Sequence, residues 1–146
     1  MIVLLATDFS EAAEAAEAQG LDLARRLGAE VVYVHVGTEP SLYGEGPFGM
    51  AQVQGVYEAQ RRWATDQLAR RVEGAREGGV AARFVLPDGV PHQAIVDTAA
   101  KEHADIIVIG THGRTGLERI VLGSVAERVV RLAPCPVLTV RPRNGR

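Results

Sequence analysis

Apolar residues along this chain fall into short unbroken runs that alternate with longer stretches of helical period. Ile2-Val3-Leu4-Leu5-Ala6 is the first such run. With no polar position to face water, it predicts a strand covered on both faces. Ser10 follows as a helix cap, with Glu11, Glu14 and Glu17 in the first turns, Arg25 and Arg26 in the last, and Gly28 as the stop. That order of charge matches the helix dipole. Ala13, Ala16, Gly20, Leu23, Ala24 and Leu27 share one face of this helix.

Val31–Val36 predicts a second strand, and residues 37–52, with Gly37, Pro40, Gly44, Gly46, Pro47 and Gly49, read as a long binding or lid loop without periodicity. A helix is expected over Val53–Glu77, with Val56, Trp63, Ala64, Leu68, Val72 and Ala75 near one face and Gly78-Gly79 ending it. Ala81–Leu86 reads as an edge strand, and Pro91 opens a helix to about His103. Asp105–Gly110 is a fourth strand. Ser124 and Glu127 form a capping-box pattern for a helix to about Leu132, and Val137-Leu138-Thr139-Val140 is a fifth strand. Strand and helix alternate throughout, which predicts an α/β fold with a mainly parallel sheet, ending in a disordered tail from Pro142.

Composition narrows the class. The chain has 146 residues, 47% of them hydrophobic and 23% charged. One domain of that size, 1–146, buries about two thirds of the surface of its unfolded form. A formal net charge of −2 argues against a nucleic-acid partner. No apolar run is long enough to span a bilayer, and Ile2–Leu5 is too short for a signal peptide, so a cytoplasmic protein without a membrane partner is expected. Cys135, the single cysteine, reads as a small buried hydrophobe, and the histidines show no metal-ligand spacing.

The chemistry is concentrated after the fourth strand. Gly110, Gly113, Gly123 and Ser124 are spaced Gly-x2-Gly-x9-Gly-Ser, between a strand and a helix. N–H groups at a helix start carry partial positive charge, and glycines let an anion approach the main chain, so a di- or triphosphate fits there. The loop is neither a P-loop, which needs Gly-Lys-Ser or Gly-Lys-Thr, nor Gly-x-Gly-x2-Gly after the first strand. A helix N-terminus contributes about 0.3–1 kcal/mol, up to ~2 when partly buried, against the ~8 kcal/mol of micromolar binding. Base and sugar must contribute the rest. Asp8 ends the first strand in Ala6-Thr7-Asp8-Phe9-Ser10. Ligands of open α/β sheets bind outside the carboxyl ends of the strands. If strands one and four are neighbours, Asp8 and Gly110 share one crevice; the alternative role for Asp8 is capping the next helix, for which Ser10 competes.

Ala-Thr-Asp-Phe-Ser after strand one, His35-Val36 closing strand two, the glycine motif, and Cys135-Pro136-Val137-Leu138-Thr139-Val140 occur in order over essentially the whole chain. In this the chain resembles the universal stress protein family, in the branch that carries the glycine motif and binds ATP. The resemblance implies an open five-stranded parallel sheet of order 3-2-1-4-5, Rossmann-like, with helices on both faces. It also implies a homodimer through the C-terminal strand, and ATP, with Mg or Mn carried on the phosphates, between strands one and four. Ala6, Thr7 and Asp8 would then line the adenosine pocket, Val36 would meet the adenine edge, and Gly110, Gly113, Gly123, Ser124 and Val125 would surround ribose and phosphates.

His112 reads either as a phosphate or sugar contact or as a solvent-facing loop residue. Arg114 and Arg119 flank the loop and reach either a terminal phosphate or solvent. His35 reads as structural, and His92 and His103 as surface residues of a helix. Three functions compete: a nucleotide-dependent regulator or switch with a protein partner, a slow ATPase or nucleotidyl-transferring enzyme, and a scaffold whose site is unused. The loop's lack of lysine and the absence of a second acid beside Asp8 argue against fast phosphoryl transfer.

Overall fold

The computed structural model describes residues 1–38, 49–112 and 122–143. Five strands form one sheet of order β3-β2-β1-β4-β5: β1 (Ile2–Ala6), β2 (Glu30–Val34), β3 (Ala82–Val85), β4 (Ile106–Gly110) and β5 (Val137–Val140). Every pairing is parallel, with Leu4 opposite Val32 on one side and Ile107 on the other. The helices are α1 (Glu11–Leu27), α2 (Met50–Glu77), α3 (Pro91–Lys101) and α4 (Ser124–Leu132).

The alternation of strand side chains splits the apolar runs into two cores. Val3, Leu5, Val31, Tyr33 and Val108 face the layer of α1 and α2, where they meet Ala16, Ala24, Leu68, Val72 and Ala75. Leu4, Ala6, Val32, Val34, Ile107 and Ile109 face the layer of α3 and α4, where they meet Ile95, Ala99, Ala126 and Val129. α1 approaches the sheet closely because its inner stripe is Ala12, Ala13, Ala16, Gly20 and Ala24. A Cβ on Gly20 would come within 2.8 Å of Leu5 Cδ1.

The ends of α1 follow the expected chemistry. Ser10 Oγ accepts from the Ala13 N–H at 3.2 Å, and Gly28 stops the helix in the left-handed region with φ 61°. Leu27, expected on the inner face, is exposed, because it lies in the last turn, beyond Ala24 at the end of the buried stripe. α2 starts at Met50, three residues earlier than expected, with the Gln52 and Val53 N–H groups bonded to the Gly49 carbonyl. Its buried residues begin only at Ala64; Val56 is exposed, and Trp63, about half exposed, packs edge to face on Phe9. β2 ends at Val34, two residues early, because β1 has already stopped at the paired Ala6. α3 ends at Lys101, and His103 takes a left-handed φ of 52° just beyond it.

One polar network lies within the α1/α2 layer. The wholly buried Tyr33 donates to Glu17 Oε1 at 3.0 Å, and Arg71 Nε donates to Glu17 Oε2 at 3.2 Å. Burial, and then the Glu17 carboxylate, push the Tyr33 phenol far above its ordinary value. The phenol therefore stays protonated in the folded chain at pH values where the unfolded chain ionises it, near pH ~10. Its contribution is complete below that pH and declines as pH rises above it. Tyr33→Phe should cost about 1–2 kcal/mol at neutral pH and flatten the alkaline loss of stability between about pH 9 and 11. Urea unfolding of both proteins across that range checks this; parallel curves would contradict it.

Candidate functional site

The sheet reverses its order of connection at β1, and the carboxyl ends of β1, β2 and β4 open on one crevice. At the end of β1, the Thr7 N–H donates to the Val34 carbonyl at 2.9 Å and buries Thr7. Two local hydrogen bonds then fold the turn: the Phe9 N–H to Thr7 Oγ1 and the Ser10 N–H to Asp8 Oδ1, each 3.0 Å. Between them Phe9 adopts φ 63°. That conformation costs a non-glycine residue about 1–2 kcal/mol. Ser10 is the cap of α1, so the Asp8 carboxylate is left to the crevice wall and the turn.

From β2, His35 packs its ring against Phe9 and places Nδ1 2.8 Å from the Thr7 carbonyl. A carbonyl only accepts, so Nδ1 carries the proton. At the end of β4, the Thr111 N–H donates to the Val140 carbonyl at 2.9 Å, and Thr111 Oγ1 lies 2.9 Å from His112 Nδ1. The Gly123 N–H then donates to the Thr111 carbonyl at 2.6 Å, which clamps the start of α4 to the end of β4.

Both described motif glycines have a steric reason. A Cβ on Gly110 would lie 2.7 Å from the carbonyl oxygen of Ala12 in α1, and one on Gly123 would lie 2.9 Å from the Thr111 carbonyl oxygen. The expected capping box is absent. Gly123 is the cap, and Ser124 is the first helical residue; Glu127 pairs with Arg131 instead. Without a side-chain cap, the first turn of α4 presents its N–H groups to the crevice.

These elements enclose a cleft of about 340 Å³. Its walls take Ala6, Thr7 and Asp8 from the β1 end, Val34, His35 and Val36 from the β2 end, and Gly110, Thr111 and His112 from the β4 end. Gly123, Ser124 and Val125 close it on the α4 side. Every expected site residue within the described part of the chain thus lines this one cleft. Gly113, Arg114, Gly116 and Arg119 lie outside the described residues. His92 and His103 are not among the cleft-lining residues.

The sequence reading did not place eight wall residues in the site: Ala13, Val34, Pro91, Ile95, Ile109, Thr111, Ala126, and His35, which it took as structural. Pro91 and Ile95 are there because every helix of a parallel α/β sheet starts at the carboxyl edge, which brings the α3 N-terminus to the same rim. The Pro91 helix-start signal was present; its convergence on the site depends on strand order. A second cleft of about 640 Å³ shares Asp8, His35 and Val36 and runs along Tyr57, Arg61 and Trp63 of α2. There the Tyr57 hydroxyl donates to Asp88 Oδ2 at 2.6 Å, which holds the phenol above its ordinary range, and Arg61 Nη1 reaches Asp88 Oδ1 at 3.3 Å. Burial likewise raises the Cys135 thiol, as fits a packing residue. Among the described residues, no group of three or more His, Cys, Asp or Glu side chains could hold a metal ion, and no helix is long and apolar enough to cross a membrane.

The sequence model of the universal stress protein family matches residues 1–141. Universal stress protein MJ0531 of Methanocaldococcus jannaschii is 37% identical over 139 residues, covering 95% of this chain and 81% of its own. A universal stress protein of Thermus aquaticus is 36% identical over 140 residues, covering 95% and 97%. Among solved structures, the M. jannaschii protein MJ0577 superposes with a TM-score of 0.87 at 30% identity over 99% of this chain and 97% of its own. A universal stress protein of Archaeoglobus fulgidus, solved in complex with dAMP, superposes with a TM-score of 0.67 at 29% identity over 95% of each chain.

The contact of Gly110 with α1 is between backbones and cannot relax by a rotamer change. Gly110→Ala should therefore destabilise the protein by about 1–3 kcal/mol. Urea unfolding measures it, and wild-type stability would contradict the packing account.

Proposed function

This chain belongs to the universal stress protein family, and from that premise we propose that it binds ATP in the β1/β4 cleft and acts as a dimeric, nucleotide-dependent regulator. The observation that carries the reading is the pairing, within one cleft, of an apolar recess and an α4 N-terminus without a side-chain cap. Ala6, Val34, Val36, Ile95 and Ile109 supply a wall suited to a base. The Asp8 carboxylate accepts hydrogen bonds from ribose hydroxyls or the adenine amine. The backbone N–H groups of Ser124 and Val125 at the start of α4 favour phosphate oxygens, with Gly123 and His112 beside them.

A cleft of about 340 Å³ falls in the size range of small-ligand sites, roughly 300–1,000 Å³. The dAMP held by the A. fulgidus relative supports an adenine nucleotide as ligand class. Gly113 and Arg114 join the site on the strength of the motif. Mg or Mn would be carried on the phosphates, as the family resemblance implies. Lys101, the only lysine, ends α3, whereas the cleft meets that helix at its start, Pro91. This arrangement suits retention of the nucleotide over rapid transfer of its phosphate.

Among the described residues β5 is an edge strand paired with β4 alone, and it carries the exposed Leu138. An unprotected edge is a template for pairing with a second strand. A dimer through β5 follows, and a partner protein would read the nucleotide state of the pair.

Titration calorimetry with ATP, AMP and GTP, with and without Mg, tests the site. ATP and AMP should bind at micromolar concentrations, and GTP at least about tenfold more weakly. Asp8→Ala should weaken ATP by more than about tenfold, or ~1.4 kcal/mol, at a temperature where the variant is fully folded. Equal affinity for GTP, or undiminished affinity in the variant, would remove the assignment.

A further inference from the structure

The turn that presents Asp8 is held in a conformation that its own sequence does not favour. Among the described residues only Phe9 and His103 take positive φ without being glycine. His103 follows the end of α3, where a left-handed residue is an ordinary termination. Phe9, at φ 63°, lies between two cleft-lining elements, in a position where glycine would sit without strain. Such a conformation persists only when the surroundings over-determine it.

The surroundings of Phe9 do so from three directions. The His35 ring, itself bonded to the Thr7 carbonyl, packs at 4.5 Å between centroids. Trp63 of α2 meets Phe9 edge to face at 5.1 Å. The Arg71 guanidinium carbon sits 4.9 Å from the ring centroid, and Arg71 is held by Glu17 at 3.2 Å. Edge-to-face rings and a cation over a ring are both attractive, and here they act on one side chain. The backbone N–H of the same residue donates to Thr7 Oγ1.

We infer that Phe9 is a positioning residue of the nucleotide site: its ring, locked by His35, Trp63 and Arg71, holds the left-handed turn that aims Asp8 into the cleft. The inference rests on the nucleotide reading above. If the ring is removed, residue 9 is free to relax to negative φ. The peptide groups flanking it then rotate, and the Ser10 N–H no longer meets Asp8 Oδ1. The carboxylate turns away from the cleft wall, although Asp8 itself is intact. The role assigns a function to Trp63, a half-exposed aromatic residue of α2.

Calorimetry with AMP on wild type, Phe9→Ala, Phe9→Tyr and Trp63→Ala, beside their melting temperatures, tests the role. Phe9→Ala should bind AMP at least about tenfold more weakly at a temperature where it is fully folded, and Phe9→Tyr should stay within about threefold of wild type. A ring that only fills space predicts a lower melting temperature with unchanged AMP affinity, and that result would overturn the inference. Should Phe9→Ala fail to fold, Trp63→Ala decides at its half-exposed position: affinity about threefold weaker supports the lock, and wild-type affinity rejects it. A wild-type protein that binds no AMP or ATP overturns the nucleotide reading and this inference together. Normal wild-type binding with an indifferent Phe9→Ala overturns this inference alone.

Discussion

β1 is hydrogen-bonded along both edges, to β2 on one side and to β4 on the other, and it is covered by helices on both faces. Val3, Leu4 and Leu5 are fully buried as a result. This double pairing requires the chain to build outward to β3 and then cross back to start β4 on the opposite side of β1. The connections diverge there, so the carboxyl ends of β1 and β4 are left with a crevice between them. The Thr7–Asp8 turn, the His35–Val36 segment and the Gly110–His112 segment all border that crevice because of this reversal. A polar residue in the middle of β1 would be buried whichever face it took, which is why the run Ile2–Ala6 contains none.

The glycines of the motif act first on the fold and through it on the site. Gly110 allows the α1 backbone to sit against the end of β4, and Gly123 allows the α4 start to close on Thr111. Both contacts are between backbones; one seats α1 against β4 and the other seats the α4 start against the end of β4. The weak attraction of one helix N-terminus for an anion gains from that placement. It acts beside an apolar wall instead of alone in water.

Much of this was legible in the chain because the signals were local. The continuous apolar run of β1, the Ser10 cap and the Gly28 stop each depend on neighbours within a few positions, and each element formed where expected. The strand order came from the family resemblance, not from periodicity. The misread positions depend on long-range geometry. Helical spacing put Val56 and Leu27 on inner faces, but spacing does not say where the buried stripe of a helix begins and ends. Ser124 and Glu127 have the spacing of a capping box, yet the Gly123 N–H bond to Thr111 starts the helix one residue earlier. Pro91 and Ile95 reach the cleft through topology alone, and Phe9 looked like an ordinary apolar residue because backbone strain leaves no mark on composition.

In the proposed reading, one cleft receives the base at the β1/β2 ends and the phosphates at the α4 start. Amide chemical-shift mapping of isotope-labelled protein with adenosine and then with ADP tests this most directly. Adenosine should shift the amides of Thr7, Asp8 and Val36, and ADP should add shifts at Gly123, Ser124 and Val125. Shifts confined to the α2/β3 face around Arg76 and Arg83, or no difference between the two ligands at the α4 start, would contradict it.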